Sequence, residues 1–257
     1  YLEELDLRSW DVKRFPYNLG ELQKLKRLRL NGKVDNIPPR IEEIILDEKT
    51  LHHIRPWLQE LTIQPRLFLD IEDPEVFVPD LFENVYGIRF ANRIESIPYW
   101  LRNYLKIRKL CIPFHTIQKF PYWFSEFSSL EVLEIGGGRH LKNVVLPDSL
   151  ECLKALRRLT CAHLGWVEIP AWVYELKELR YLDLAGNKLK IISSDLSRLQ
   201  NLEQLKIEYN PLEEFPVALN QLGALKEVAV DFRQKKAWKE KSLIPLHLAL
   251  QASLSWE

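Results

Sequence analysis

One spacing constrains this 257-residue chain more than any other. Apolar residues recur as L-x-x-L-x-L at steps close to 23 residues. LRYLDLAGNKLKIISSDLSRLQN (179–201) and LEQLKIEYNPLEEFPVALNQLGA (202–224) match column for column. The pattern falls at Leu2/Leu5/Leu7, Leu25/Leu28/Leu30, Ile41/Ile44/Leu46, Leu58/Leu61/Ile63 and Val85/Ile88/Phe90. It continues at Ile107/Leu110/Ile112, Leu130/Leu133/Ile135, Leu156/Leu159/Cys161, Leu179/Leu182/Leu184, Leu202/Leu205/Ile207 and Leu225/Val228/Val230. The successive steps are 23, 16, 17, 27, 22, 23, 26, 23, 23 and 23 residues. An apolar residue precedes proline on the same beat, at Phe15-Pro16, Ile37-Pro38, Ile97-Pro98, Phe120-Pro121, Leu146-Pro147, Ile169-Pro170 and Phe215-Pro216. After most of these prolines apolar residues return every third position, as in Leu150, Leu153 and Leu156.

Alternation of two in L-x-L predicts a short strand with one buried face. A period of three predicts a 3₁₀ or short helical turn, opened by a proline whose missing N–H costs nothing there. One strand and one turn cannot bury an apolar face alone. About eleven such coils, stacked, make an α/β architecture with a parallel sheet and a continuous core between sheet and turns.

Over roughly residues 2–230 these residues resemble the leucine-rich repeat family, best at LDLAGNKL (182–189) and LKIEYNPL (205–212). The resemblance implies a curved solenoid, strands on the concave face and short turns on the convex face. It also implies that Asn187 and Asn210 bond the backbone of a neighbouring coil, and that the concave face binds other proteins.

The pattern departs from the family in several places. The asparagine column holds Trp10, Arg93, His115, Gly138 and Leu164 in other coils, so a less regular first half is expected. The coils 25–40 and 41–57 are short, and IPPRIEEIIL (37–46) resembles the short repeats of bacterial effector proteins. The fourth coil gains an acidic stretch with Asp70, Glu72, Asp73 and Glu75, which is read as a solvated loop because it lacks the grammar of a calcium loop. The solenoid is expected to span 1–230. Residues 231–257, which mix lysines with Trp238, Leu243, Leu246, Leu248 and Trp256, are expected to cap its exposed apolar end. No comparable cap is visible at the other end, so residues before Tyr1 are expected.

Equal numbers of basic and acidic residues, 36 each, give no global pull toward nucleic acid or acidic membranes. No apolar run is long enough to span a bilayer, so membrane insertion is not expected. Three cysteines make no disulfide framework, and no asparagine lies in an Asn-x-Ser/Thr context. Both facts favour the cytoplasm or a bacterial secreted or surface location over a disulfide-rich eukaryotic ectodomain.

Several constellations invite a chemical reading. EIGGGRHLKN (134–143) sets three glycines before Arg139, His140 and Lys142, as an anion loop would. No helix is expected after it, so it reads as an enlarged rim loop where the asparagine is missing. Cys161 falls on an inward position, Cys152 on the turn side and Cys111 outward on the sheet, with no histidine assured nearby for nucleophilic catalysis. His115, His140 and His163 start successive loops, but without the local spacing of a zinc site. Basic clusters at Lys24/Lys26/Arg27/Arg29, Lys106/Arg108/Lys109 and Arg157/Arg158 alternate with acidic coils and make no nucleic-acid groove.

Strand alternation instead assigns an outward column: Arg29, Ile45, Thr62, Arg89, Cys111, Glu134, Thr160, Asp183, Lys206 and Ala229. Beside it run Arg27, Lys109, Arg158, Tyr181 and Gln204. Tyrosine and arginine anchor protein interfaces. The candidate partner-binding residues are therefore Arg158, Tyr181, Asp183, Lys206, Glu208 and Tyr209, with Glu134 and Arg89. The expected function is a monomeric, non-enzymatic module that binds a protein or peptide on its concave face, without cofactor, metal or nucleic acid. The alternative is the recognition arm of an enzyme, a ubiquitin-ligase-like effector or a kinase, whose catalytic domain lies outside this chain.

Overall fold

The computed structural model describes residues 2–7, 19–31, 36–61, 63–75, 84–138, 141–240 and 249–253, with backbone alone at 237, 239–240 and 249–253. Trp10, Phe15-Pro16, Thr62, Arg139, His140 and residues 241–248 and 254–257 lie outside the described set. The chain divides into two compact units, Tyr1–Asn92 and Arg93–Glu257.

The second unit holds β6 (Lys109–Ile112), β7 (Val132–Gly136), β8 (Arg158–Ala162), β9 (Tyr181–Asp183), β10 (Gln204–Lys206), β11 (Glu227–Asp231) and β12 (Ala249–Ser253). Each pairs in parallel with the next, in the register Leu110↔Leu133↔Leu159↔Leu182↔Leu205↔Val228. All six of these side chains are 0–1% exposed, so the predicted frame sets one wall of the core. The facing wall comes from 3₁₀ turns at Tyr99–Tyr104, Tyr122–Glu126, Asp148–Cys152, Ala171–Glu175, Ser194–Arg198 and Val217–Gln221. Pro98, Pro121, Pro147, Pro170 and Pro216 precede five of them. At the sixth the Ser193 hydroxyl accepts the Asp195 N–H at 3.1 Å, capping the turn in proline's place. Leu101, Phe124, Leu150, Val173, Leu196 and Leu219 point inward from these turns and are fully buried. Helix α2 (Phe232–Glu240) follows β11, and its buried Trp238 packs edge-on against Phe215, 5.1 Å between ring centres.

Where a strand ends, its backbone still needs partners. Asn187 supplies them as expected. Its Oδ1 accepts the N–H of Leu164 and Trp166 at 3.1 and 3.2 Å, while its Nδ2 donates to the carbonyls of Cys161 and Leu184, each at 2.8 Å. Asn210 repeats the device one coil on, accepting from Leu189 and donating to Leu184 and Ile207. His115 fills the same column differently. Its Nδ1 accepts the Ile117 N–H at 3.1 Å, so the neutral tautomer carries its proton on Nε2, and its ring packs edge-on against Phe120. Burial holds the imidazole down to a pKa of about 4.

The glycine triplet has a steric cause. A Cβ on Gly136 would sit 2.3 Å from the Pro113 carbonyl oxygen, and one on Gly137 2.1 Å from that of His163. Backbone from both flanking coils closes on β7 here, and only glycine fits. Gly138 faces open space. Close approach of backbone thus calls for glycine at two of the three positions.

The first unit contains β1 (Glu4–Asp6), β2 (Arg27–Leu30), β3 (Glu43–Asp47), α1 (Glu48–Glu60), β4 (Arg66–Ile71) and β5 (Val85–Phe90). The short coil after β2 is confirmed, with Leu28 opposite Ile44. The second short coil is not. Ile44 pairs with Leu67, the full 23-residue step, and Leu58/Leu61/Ile63 do not form a strand. Leu58 belongs to α1, whose buried residues Leu51, Ile54 and Leu58 line one helical face. The Asp47 side chain caps this helix by accepting the Thr50 N–H at 2.7 Å. Of the acidic stretch only Asp70 falls in β4, whose Leu67, Leu69 and Ile71 are buried, while Glu72, Asp73 and Glu75 follow the strand as an exposed loop. Asp70 pairs with Arg89 and Glu72 with Lys49, at 3.2 and 3.1 Å, so these carboxylates already hold cations of the chain.

Leu182, fully buried in the middle of its wall, gives a direct test. Leu182→Ala is expected to lower unfolding free energy by about 2–5 kcal/mol in urea denaturation, and a loss of a few tenths would refute the frame. His115 gives a pH test. Its folded-state value lies below the ordinary 6.5, so the unfolded chain binds the proton first. Stability is full above that value and falls as pH drops toward 4. Between pH 7 and 5 the wild type should lose about 2 kcal/mol relative to His115→Asn, measured as a difference in urea midpoints.

Candidate partner-binding face

The open face of β7–β10 carries side chains that the register aligns. Cα partners run Glu134↔Thr160↔Asp183↔Lys206 in one row and Arg158↔Tyr181↔Gln204 in the row beside it. The expected column is therefore real across these strands. Its exposure is uneven. Cys111 and Ala229 belong to it yet are 2% and 6% exposed. Strands lie about 4.8 Å apart, so a short side chain sits below longer neighbours such as Glu134 or Lys206.

A connected network runs through the candidate residues. Glu134 Oε1 lies 3.6 Å from Arg158 Nε. The Arg158 guanidinium covers the Tyr181 ring, its carbon 3.5 Å from the ring centre, while the Lys206 amine lies 5.9 Å from the same centre. The Tyr181 hydroxyl donates to Asp183 Oδ2 at 3.2 Å, and Asp183 Oδ1 accepts the Ala185 N–H at 3.0 Å. Tyr181 is therefore 9% exposed, a platform beneath Arg158 and no free anchor. Burial, and then Asp183, raise its phenol above the ordinary range. Burial works against the Lys206 ammonium, but Tyr181, Asp183 and Glu208 outweigh it and raise its pKa. The exposed ring is Tyr209, 47% accessible, with its N–H donated to Asp231 Oδ2 at 3.0 Å and its backbone at φ +56°.

Arg89 stands apart from these residues. It lies in the first unit opposite Asp70, while Phe68, which pairs with Ile45, takes the row and meets Gly87 on β5. The basic clusters are interleaved with acids one coil away, as in Lys26–Glu3, Arg27–Glu4, Arg29–Asp6 and Arg108–Glu131. All three cysteines are thiols, Cys111 and Cys161 buried and Cys152 exposed, and burial pushes the Cys161 thiol well up, away from the reactive thiolate. Of the three loop histidines, His115 is sealed in the core, His163 is exposed and His140 lies outside the described residues. Among the described residues no group of histidine, cysteine and carboxylates is placed to hold a metal ion. Nor does any described helix have the length and apolarity to cross a membrane.

The stacking at Tyr181 can be measured. A double-mutant cycle of Arg158→Ala with Tyr181→Leu, read by thermal unfolding, should return a coupling of about 0.5–1 kcal/mol. The same cycle with Lys206→Ala, whose amine is farther from the ring, should return less.

With this geometry in place, the known proteins can be set beside the chain. A leucine-rich-repeat family model matches residues 170–212, the stretch holding Asn187 and Asn210. The human volume-regulated anion channel subunit LRRC8A is 26% identical over 253 aligned residues, covering 89% of this chain and 30% of the relative. Mouse LRRC8E is 24% identical, covering 87% of this chain and 24% of its own length. The chain thus spans less than a third of the curated relatives it matches. An internalin (inlF) of Listeria monocytogenes shares the fold at a TM-score of 0.54 with 17% identity, covering 93% of this chain and 70% of that one. A chain of the octameric complex of Latrophilin 3, Unc5D and the leucine-rich repeats of FLRT2 gives 0.57 with 19% identity, covering 91% and 78%. Register, asparagine ladder and shared fold together give this chain the leucine-rich-repeat fold, and the family's own model matches residues 170–212 of it.

Proposed function

We propose that this chain is a recognition module without catalysis of its own, and that the open face of β7–β10 receives a protein or peptide partner. The observation that carries this reading is the network of Glu134, Arg158, Tyr181, Asp183 and Lys206. These side chains hold one another in place across four coils, so a partner meets a surface already ordered. Ordering charged and aromatic side chains on binding costs affinity, and a pre-formed face avoids that cost. The FLRT2 repeats occur in a complex with other proteins, which agrees in kind. In this reading 231–257 closes the end of the stack, with Trp238 against Phe215.

A second reading follows from the length of the relatives. The matched stretch of LRRC8A is 30% of an anion channel subunit, and in this second reading the repeats serve as the partner-sensing arm of a larger protein. Both readings place binding on the same face.

Thr160 sits in the middle of that face and makes no side-chain bond that the network needs. Thr160→Arg should abolish capture of partners from lysate while leaving the far-UV spectrum and melting temperature intact. Ser194→Arg, on an exposed 3₁₀ turn at the other side of the coil, should leave capture unchanged. Loss with Ser194→Arg and retention with Thr160→Arg would move the site off the sheet.

A further inference from the structure

The carboxylates of the open face do not all behave alike. On the strand side of the second unit, Glu131 pairs with Arg108, Glu134 with Arg158, and Glu203 with both Arg180 and Lys226. Asp183, Glu208 and Asp231 lie on the next coils, and no ion pair reaches them among the described residues. Asp183 and Asp231 accept hydrogen bonds from neutral donors, the Tyr181 hydroxyl, the Ala185 N–H and the Tyr209 N–H. Glu208 Oε2 is buried and has no hydrogen-bond partner among the described residues. Lys206 acts on both Asp183 and Glu208, and its amine lies 5.9 Å from the Tyr181 ring centre. Burial, followed by the charges of Asp183 and Asp231, raises the Glu208 pKa. A second cation would relieve that repulsion.

The column beside these acids is aromatic. His163, Gly186 and Tyr209 follow one another at the 23-residue step, and all three have left-handed backbone, at φ +58°, +68° and +56°. Glycine is the residue that conformation favours. Two of the three coils nevertheless carry a ring there. Phe232 comes one coil after Tyr209 and is 54% exposed, against 47% for Tyr209. The pair Glu208-Tyr209 thus repeats as Asp231-Phe232, an acid and an exposed ring on each coil.

We infer that this edge of the open face binds an arginine-bearing segment of the partner, its guanidinium held by Glu208 and Asp231 against the rings of Tyr209 and Phe232. The inference rests on the proposed partner-binding role and names the chemistry of what is bound. A guanidinium is planar, donates to carboxylates through several N–H groups at once, and stacks on aromatic faces. An acidic segment would meet uncompensated negative charge and be repelled.

The test uses the full chain and a fluorescently labelled hexa-arginine peptide, followed by anisotropy at moderate salt. The wild type should bind it, bind hexa-lysine less tightly and leave hexa-glutamate free. Glu208→Gln and Tyr209→Gly should each weaken hexa-arginine by about tenfold. Glycine suits the backbone at 209, so Tyr209→Gly should keep or raise the melting temperature, which separates lost binding from lost fold. Glu131→Gln, at a carboxylate already paired with Arg108, should change nothing. Equal binding by the wild type, Glu208→Gln and Tyr209→Gly, or no binding at all, overturns the inference. If Thr160→Arg still abolishes partner capture in that case, the partner-binding face stands and only its preference for arginine falls.

Discussion

Every other feature of the second unit depends on the parallel hydrogen bonding of each strand with the strand one coil away. That pairing fixes Leu133 beside Leu159 and Leu182, and so continues the apolar wall. Because successive side chains in a strand point to opposite faces, the same pairing fixes Glu134, Thr160, Asp183 and Lys206 in a row on the solvent side. Core and face are two consequences of one register. A slip of one residue would exchange them. The asparagines extend the constraint beyond the strands. Asn187 ties the exits of β8 and β9 together through four hydrogen bonds, so the turn leaving each strand is held as firmly as the strand itself.

From Ile107 onward the repeat was readable from sequence because leucine, proline and asparagine each fall where one physical requirement recurs. The misreading came at 41–71, where Leu58/Leu61/Ile63 imitate the strand pattern. The spacing of Leu51, Ile54 and Leu58 and the cap formed by Asp47 and Thr50 mark a helix there. The restored 23-residue step from Ile44 to Leu67 confirms the difference. Correcting this coil also removes half of the short-repeat signal that resembled bacterial effectors. A local helix and a strand can share apolar positions, and only the partner strand decides between them.

The rows of the face were legible for the same reason as the core. Access to each residue was not. Tyr181 looks like an exposed anchor in sequence, yet Arg158 lies on its ring. Cys111 points to the open side and is still 2% exposed. Arg89 falls in a different row because β5 sets it opposite Asp70 and places Gly87 opposite Phe68. Exposure depends on the reach of neighbouring side chains, and register on irregularities that periodicity averages away. The positive φ at Tyr209 was equally silent in sequence, although Gly186 in the same column hints at it.

The central claim is that the register-aligned open face, and no other surface of the second unit, is where recognition occurs. Hydroxyl-radical footprinting of the wild type, alone and with its captured partner, tests it most directly. Among the described rings, Tyr209 is 47% and Phe232 54% accessible, and Tyr99 and Tyr122 on the 3₁₀ turns are 72% and 76% accessible. The account predicts that partner binding slows oxidation of Tyr209 and Phe232 and leaves Tyr99 and Tyr122 unchanged. Protection of Tyr99 and Tyr122, with Tyr209 oxidised as before, would contradict it.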